Sequence, residues 1–344
     1  TQVGGLVGYN AAAGTINGGV AGSALVTASL SSVGGLVGLN GGFVTGSSSS
    51  STVSVGAAVD NVGGLVGFNA GTLSNDQASA AVTSGGSNTG GLVGLNYGAV
   101  SSSTAIGEVN GAAYVGGLIG FNNAAVTGSN ATGAVNGSTG VGGLVGYNGA
   151  ALTNVAAGGH QVSGVTQVGG LVGFNATAGS VDGAYAIAGG GNLYVIASGS
   201  GAGGVVGING GMIQNTYTDL GASADGGNVG GIVGINVGTV QNSWVNGGGF
   251  SPVYGSSGFV AGYNAAGATL SNLYYSRRYV GSNLAVGPGS AGTISNVAAV
   301  GPGTGNDAYA QATYVGFDFT TVWKINAGAS RPYLQGLPAN PPPN

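Results

Sequence analysis

Val3-Gly4-Gly5-Leu6-Val7-Gly8-Tyr9-Asn10 opens the chain and then keeps returning. It recurs at residues 33–40, 62–69, 89–96, 115–122, 141–148 and 168–175, and in looser form at 202–209, 229–236 and 257–264. Successive copies start 30, 29, 27, 26, 26, 27, 34, 27 and 28 residues apart. A period of this size marks a stacked repeat architecture, in which no unit can bury its apolar face alone. The 344 residues would suffice for two ordinary domains, but a solenoid is one body at any length.

The slots of the motif are selective. The Leu6 slot holds Leu, Val or Ile, and the Val7 slot Val, Ile or finally Ala261. The Gly8 slot is always Gly, and the Tyr9 slot is Tyr, Leu, Phe or Ile. The last slot is always Asn: Asn10, Asn40, Asn69, Asn96, Asn122, Asn148, Asn175, Asn209, Asn236 and Asn264. Several glycines per unit rule out helix, since each costs about 1 kcal/mol against Ala in a helix interior. Branched residues bounded by Gly and Asn read as short strands.

A second apolar mark follows the Asn, four residues on at Val44, Leu73, Val100, Val126, Leu152, Ile213 and Val240. It falls six residues on at Ile16, Val181 and Leu270, which predicts a longer turn in those units. A third, weaker strand is expected around Val53-Val55, Ala80-Val82, Ile106-Val109 or Tyr194-Ile196. Three strands and three turns in about 27 residues make one coil of a parallel β-helix. The fold expected is all-β, a solenoid of about ten to eleven coils with an aromatic-rich C-terminal cap. At the ordinary inter-strand spacing of about 4.8 Å, ten coils reach on the order of 50 Å. In this reading Gly4-Gly5 supply the positive φ of a sharp corner. The motif asparagines tolerate the left-handed region and stack as a structural amide ladder.

Adjacent strand residues face opposite ways. Leu6 and Val7 are therefore in conflict, since both are apolar. Either a corner bends the chain between them, or one of them forms an outward ladder inviting lateral or end-to-end association.

Composition narrows the function. Only 12 residues are charged, far below the usual quarter, while 43% are hydrophobic at fixed phases, which excludes disorder. The 79 glycines lack a three-residue period, which excludes collagen. Cysteine is absent, so there are neither disulfides nor thiolate metal sites. Residues 1–276 contain six acids and no Lys or Arg, a body of formal charge −6. The remainder, with Arg277, Arg278, Lys324 and Arg331 against Asp307 and Asp318, carries +2. Such a body cannot neutralise phosphates, so no nucleic-acid partner is expected. No apolar run is long enough to span a membrane as a helix, and no membrane insertion is expected.

Catalytic, metal and cofactor sites are not expected either. The acids Asp60, Asp76, Glu108, Asp182, Asp219 and Asp225 fall at different phases of the coil. Paired carboxylates of a polysaccharide-cleaving site would have to converge. Asp219 and Asp225, the nearest pair, read as a solvated turn. The single histidine, His160, has no Cys or second His beside it and reads as a surface turn residue. The glycines form no phosphate loop.

The tandem Val-Gly-Gly-Leu-Val-Gly-aromatic-Asn resembles the GLUG repeat of large secreted bacterial surface proteins, among them filamentous-haemagglutinin-like adhesins. The likeness covers residues 3–264. Phe259 stands at the second Gly of copy ten, and Thr89, Ala202 and Ser257 at the leading Val. The segment from Phe317-Asp318-Phe319 through Trp323 to Arg331-Pro332-Tyr333-Leu334 resembles the closing segment of such arrays. The resemblance implies a β-helical stalk, secretion to the cell surface and a role in cell adhesion, and carries no catalytic residues.

Three units are expected: the solenoid at 1–272, degenerate coils and a cap at 273–338, and a Pro-rich linker at 339–344. Aromatics crowd into the second unit (Tyr274, Tyr275, Tyr279, Tyr309, Tyr314, Phe317, Phe319, Trp323 and Tyr333), as in a lid over the last coil, and Gly292–Asn296 echoes an earlier strand. Thr1 enters almost directly into a repeat, so a further coil or another subunit is expected before it. The expected function is a structural or adhesive shaft. The alternatives are a self-assembling extracellular filament joined end to end, and a glycan-binding solenoid using Tyr185, Tyr217 and Trp244. Expected partners are other copies of the chain or further domains of a longer one, with a host-surface protein or a glycan as the other candidates.

Overall fold

The computed structural model describes residues 2–56, 59–188, 194–246, 250–252, 256–276 and 284–337. They form a parallel β-solenoid of about ten turns. Arg277, Arg278, Tyr279 and the linker at 339–344 lie outside the described residues.

Each coil contributes to four stacked sheets rather than to three strands. The first sheet holds the opening Val-Gly of each motif, from Val3–Gly4 to Ser257–Gly258. The second holds the closing four residues, from Val7–Asn10 to Ala261–Asn264. The third runs from Thr15–Asn17 to Thr293–Val300, and the fourth from Leu25–Val26 to Phe250–Pro252. Equivalent residues pair directly coil over coil, as Val62 with Thr89 and Asn69 with Asn96. The longer turns are present: Gly14 N–H closes onto Ala11 O at 2.7 Å and Gly179 N–H onto Ala176 O at 2.8 Å. They leave the register intact, since Ile16 still pairs with Val44 and Val181 with Leu152. Ile294 pairs with Leu270, so the echo at 292–296 is an eleventh turn of the third sheet.

The doubled apolar pair is resolved by a corner inside the motif. The chain bends at Gly5-Leu6 between the first and second sheets, and both members then face inward. Leu36 and Val37 are each 0% exposed, as are Leu65 and Val66. One carbonyl of the next coil serves both sides of the bend: Leu36 O accepts Leu6 N–H and Val7 N–H, each at 3.0 Å.

The expectation that Gly4-Gly5 supply positive φ is corrected. None of the motif's paired glycines is left-handed. They are needed because coils approach closely there. A Cβ on Gly34 would lie 2.0 Å from Val37 O and 2.7 Å from Leu65 O, and one on Gly35 2.1 Å from Gly64 O. The left-handed turns lie elsewhere. One precedes the motif, at Asn61 (φ 57°), Asn88 (58°), Tyr114 (51°) and Gln167 (58°). The other comes two residues after the second apolar mark, from Gly18 and Gly46 through Asn75 and Asn154 to Asn272 and Asn296. Gly and Asn dominate there because they enter this region at least cost.

Candidate functional site

Three columns of side chains run along the solenoid, and each has its own chemistry. The first is inside. From Asn10 to Asn264, every motif asparagine but the last donates Nδ2–H to Oδ1 of the motif asparagine one coil on, at 2.7–2.9 Å. The same amides close their own turns: Gly42 N–H donates to Asn40 Oδ1 at 3.2 Å, and Asn40 Nδ2 donates to Gly42 O at 3.2 Å. The nine asparagines from Asn40 onward are fully buried. Their polar groups are satisfied only because the neighbouring coil presents the same residue in register. None is left-handed, so their place in the motif comes from the ladder and the turn they close.

A short run of serines, spanning only the early coils, lies beside it on the third sheet. Gly19 N–H donates to Ser47 Oγ (3.0 Å), Ser47 N–H to Asp76 Oδ1 (2.8 Å), Asp76 N–H to Ser103 Oγ (3.1 Å) and Ser103 N–H to Ser129 Oγ (3.1 Å). Asp76 interrupts the serines with a buried carboxylate, and burial raises its pKa to about 6 against two backbone hydrogen bonds that lower it.

The second column is outside. Once Leu6 and Val7 both point in, the outward apolar slot is that of Tyr9, filled in order by Leu39, Phe68, Leu95, Phe121, Tyr147, Phe174, Ile208, Ile235 and Tyr263. These side chains are half-buried beyond the first coil, forming a continuous apolar stripe along the second sheet. Phe121 and Tyr147 stack at 4.2 Å with planes 4° apart. Tyr114, in its left-handed turn, sets its ring edge against both, at 5.9 and 5.5 Å. Tyr97 does the same to Phe68 at 6.0 Å.

The third column decides where the C-terminal segment goes. In the second half of the third sheet, the outward slot is Ser48, Gln77, Thr104 and Asn130 in the early coils. It turns to Ala156, Tyr185, Tyr217, Trp244 and Tyr274 in the later ones. The four rings form a ladder, with Tyr185–Tyr217 at 5.4 Å and Tyr217–Trp244 at 5.7 Å. Residues 301–337 fold back over them. Phe317 stacks on Trp323 at 4.6 Å, Tyr314 and Phe317 meet Tyr274 edge-on at 5.0 and 5.5 Å, and Trp323 is fully buried. A short antiparallel pair, Trp323–Lys324 with Tyr333–Leu334, stiffens the segment. The aromatic-rich cap thus lies along the flank of the later coils, not as a lid across the end. Ile294 of the eleventh turn stays 47% exposed, whereas Leu270 beneath it is 0%.

Tyr185, Tyr217 and Trp244, the aromatics a glycan-binding face would have used, are buried under this segment. Beside Tyr185, a cavity of about 260 Å³ opens between Leu337 and the small residues Ala131, Ala156 and Ala157.

The remaining chemistry-bearing residues are dispersed. Asp182 accepts from Gln214 and Asn215, each at 2.8 Å, and Glu108 from Asn110 at 3.1 Å. Asp60 accepts Ser87 N–H at 2.6 Å. Asp219 is no solvated turn residue as expected: it accepts Ala188 N–H at 2.7 Å, and burial raises its pKa. Asp225 is exposed. His160 sits in an exposed turn with Nδ1 against Thr132 O. Among the described residues no three His, Cys, Asp or Glu side chains gather as a metal site. Nor is any helix there long and apolar enough to cross a membrane.

No protein-family model, curated protein or solved structure matches the chain.

The residues missed from sequence are the left-handed set and the flank aromatics' cover. The first had a readable signal. Gly, Asn or Ser recurs two residues after every second apolar mark, as at Gly46, Asn75, Ser102 and Gly128. The second had none, because nothing local says that Trp323 meets Asn215, 108 residues away.

Proposed function

We propose that the chain is a structural shaft of a secreted or cell-surface bacterial protein, built to hold something at a distance rather than to transform it. The observation that supports this reading most directly is the unbroken asparagine column, nine hydrogen bonds through ten coils. The column ties every coil to the next, and coil-by-coil stacking gives a rod on the order of 50 Å long. The resemblance of the motif to GLUG repeats supports the surface setting and an adhesive role.

A second reading, end-to-end assembly, is favoured by the rod's two ends. Leu6 is 52% exposed where Leu36 in the next coil is 0%, and Ile294 is exposed in the same way at the other end.

Negative-stain electron microscopy of the purified chain separates the two readings. Discrete rods on the order of 50 Å long support the shaft. Long fibres support assembly, and globular particles would exclude both.

A further inference from the structure

The outward slot in the second half of the third sheet changes abruptly at one coil. Asn130 fills it at one level, Ala156 at the next and Tyr185 at the one after, in direct register. An amide and a ring thus flank a single methyl group. The space left over that methyl belongs to the cavity of about 260 Å³, whose apolar walls include Ile187 and, from the returning segment, Leu337.

The cavity has the size of a missing ring. Coils repeat at about 4.8 Å, so the levels of Asn130 and Tyr185 are about 10 Å apart along the rod. One ring fits between them, because rings one coil apart in this slot, Tyr185–Tyr217 and Tyr217–Trp244, lie at 5.4 and 5.7 Å. A ring over Ala156 extends that ladder by one rung. An apolar cavity of about 150 Å³ already admits benzene.

The lining also sets the chemistry of the occupant. None of the described residues around the cavity is charged, so an ion entering it would shed water without gaining a counter-charge. Polar groups are few. Asn130 Oδ1 accepts Thr104 Oγ1–H at 2.8 Å, while its Nδ2 has no acceptor among the described residues.

We infer that this cavity binds a small phenol, a neutral single aromatic ring carrying one hydroxyl. The ring stacks over Ala156 in line with Tyr185, and its oxygen accepts Asn130 Nδ2–H. A phenol is uncharged at neutral pH. A pyranose of similar size brings several hydroxyls that Ala156, Ile187 and Leu337 cannot pair. The coils stack alike with or without the occupant, so the inference stands apart from the shaft reading.

The test is isothermal titration calorimetry of the full chain with p-cresol, cyclohexanol, glucose and benzoate. p-Cresol is expected to bind at least about tenfold more tightly than each of the others. Cyclohexanol matching p-cresol overturns the stacked ring, and benzoate matching it overturns the neutral ligand. Glucose matching or exceeding it overturns the class in favour of a sugar, and no binding of p-cresol overturns the site. Ala156→Phe writes the missing rung into the chain, in a slot where the next three coils carry Tyr185, Tyr217 and Trp244. It is expected to weaken p-cresol at least about tenfold, and unchanged binding overturns the placement. If that variant does not fold, Asn130→Ala, at a half-buried position, decides the placement: p-cresol weakens about fivefold, or the assignment fails.

Discussion

Trp323 donates its indole N–H to Asn215 Oδ1 at 3.3 Å, which pins the returning C-terminal segment to the eighth coil. Asn215 can offer that oxygen because it sits in a left-handed turn (φ 52°) with its own Nδ2 already given to Asp182 at 2.8 Å. The bond therefore joins the local requirement of a repeat, a left-handed residue at each corner, to a contact no repeat can specify. Around it the rings of Tyr217, Phe317 and Trp244 complete one buried cluster.

Trp323→Ala should release this segment without unfolding the coils before it. Loss of a large buried aromatic costs about 3–5 kcal/mol. In a solenoid the loss stays near its site. Hydrogen exchange should quicken at Tyr217, Trp244 and Tyr274 and remain slow at Leu65 and Leu92. Uniformly faster exchange through all coils would contradict the flank arrangement.

The asparagine ladder should be more sensitive in its middle than at its start. Asn122→Ala removes the bonds to Asn96 and Asn148; it leaves the buried Asn96 Nδ2 without its ladder acceptor and Asn148 Oδ1 with only the long bond from Ala150 N–H at 3.4 Å. With one orphaned donor at about 1–3 kcal/mol and a second lost bond at about 1 kcal/mol, the cost is about 2–4 kcal/mol. Asn10→Ala removes only one ladder bond, to Asn40, and should cost about 1 kcal/mol. Urea unfolding of the two variants measures the difference, and equal costs would count against the ladder as a stabilising column.

Asp76 makes stability depend on pH. Its folded pKa, about 6, lies above the ordinary 3.8, so folding favours the protonated form. The associated stability is complete below about pH 4 and is lost as pH rises through about 6, a change of about 3 kcal/mol. Asp76→Ser places in this slot the residue found there at Ser47, Ser103 and Ser129. The variant should match the native chain near pH 4 and exceed it by up to about 3 kcal/mol at about pH 7. Thermal melts across that range check it; parallel curves for the two chains would dismiss the role of this carboxylate.

Thr89 holds a buried hydroxyl that finds no partner in a slot where other coils carry Val33, Val62 and Val115. Thr89→Val replaces it with a methyl group of the same shape. The melting temperature should rise, by an amount corresponding to about 1–3 kcal/mol. A fall would show that the hydroxyl is satisfied in solution.

Much of the fold was legible because the repeat states it ten times. The fixed Gly8 slot, for example, implies a thin wall, and a Cβ on Gly38 would lie 2.6 Å from Val3 N of the coil before. The two-residue shift at Ile16, Val181 and Leu270 implied longer turns, and the register beyond each of them is kept. Apolar character alone left open whether the chain bends between Leu6 and Val7 or turns one of them outward; the corner decides it, and the outward apolar slot is that of Tyr9. The role of the paired glycines differs from expectation, since they serve close approach rather than a positive φ. The cause is physical: a one-dimensional pattern records which residues recur but not how near the next coil lies.

The sequence by itself determined the period, the all-β solenoid and the identity of the stacked residues, because each depends only on what stands at equivalent positions of successive coils. Tertiary structure alone decided that the motif is two short strands joined by a corner, and that Tyr9 and its equivalents face out. It also decided that the C-terminal aromatics lie on the flank, where the returning segment leaves a cavity beside Tyr185. Those outcomes depend on contacts between segments with no repeat relation, and no periodicity encodes such distances.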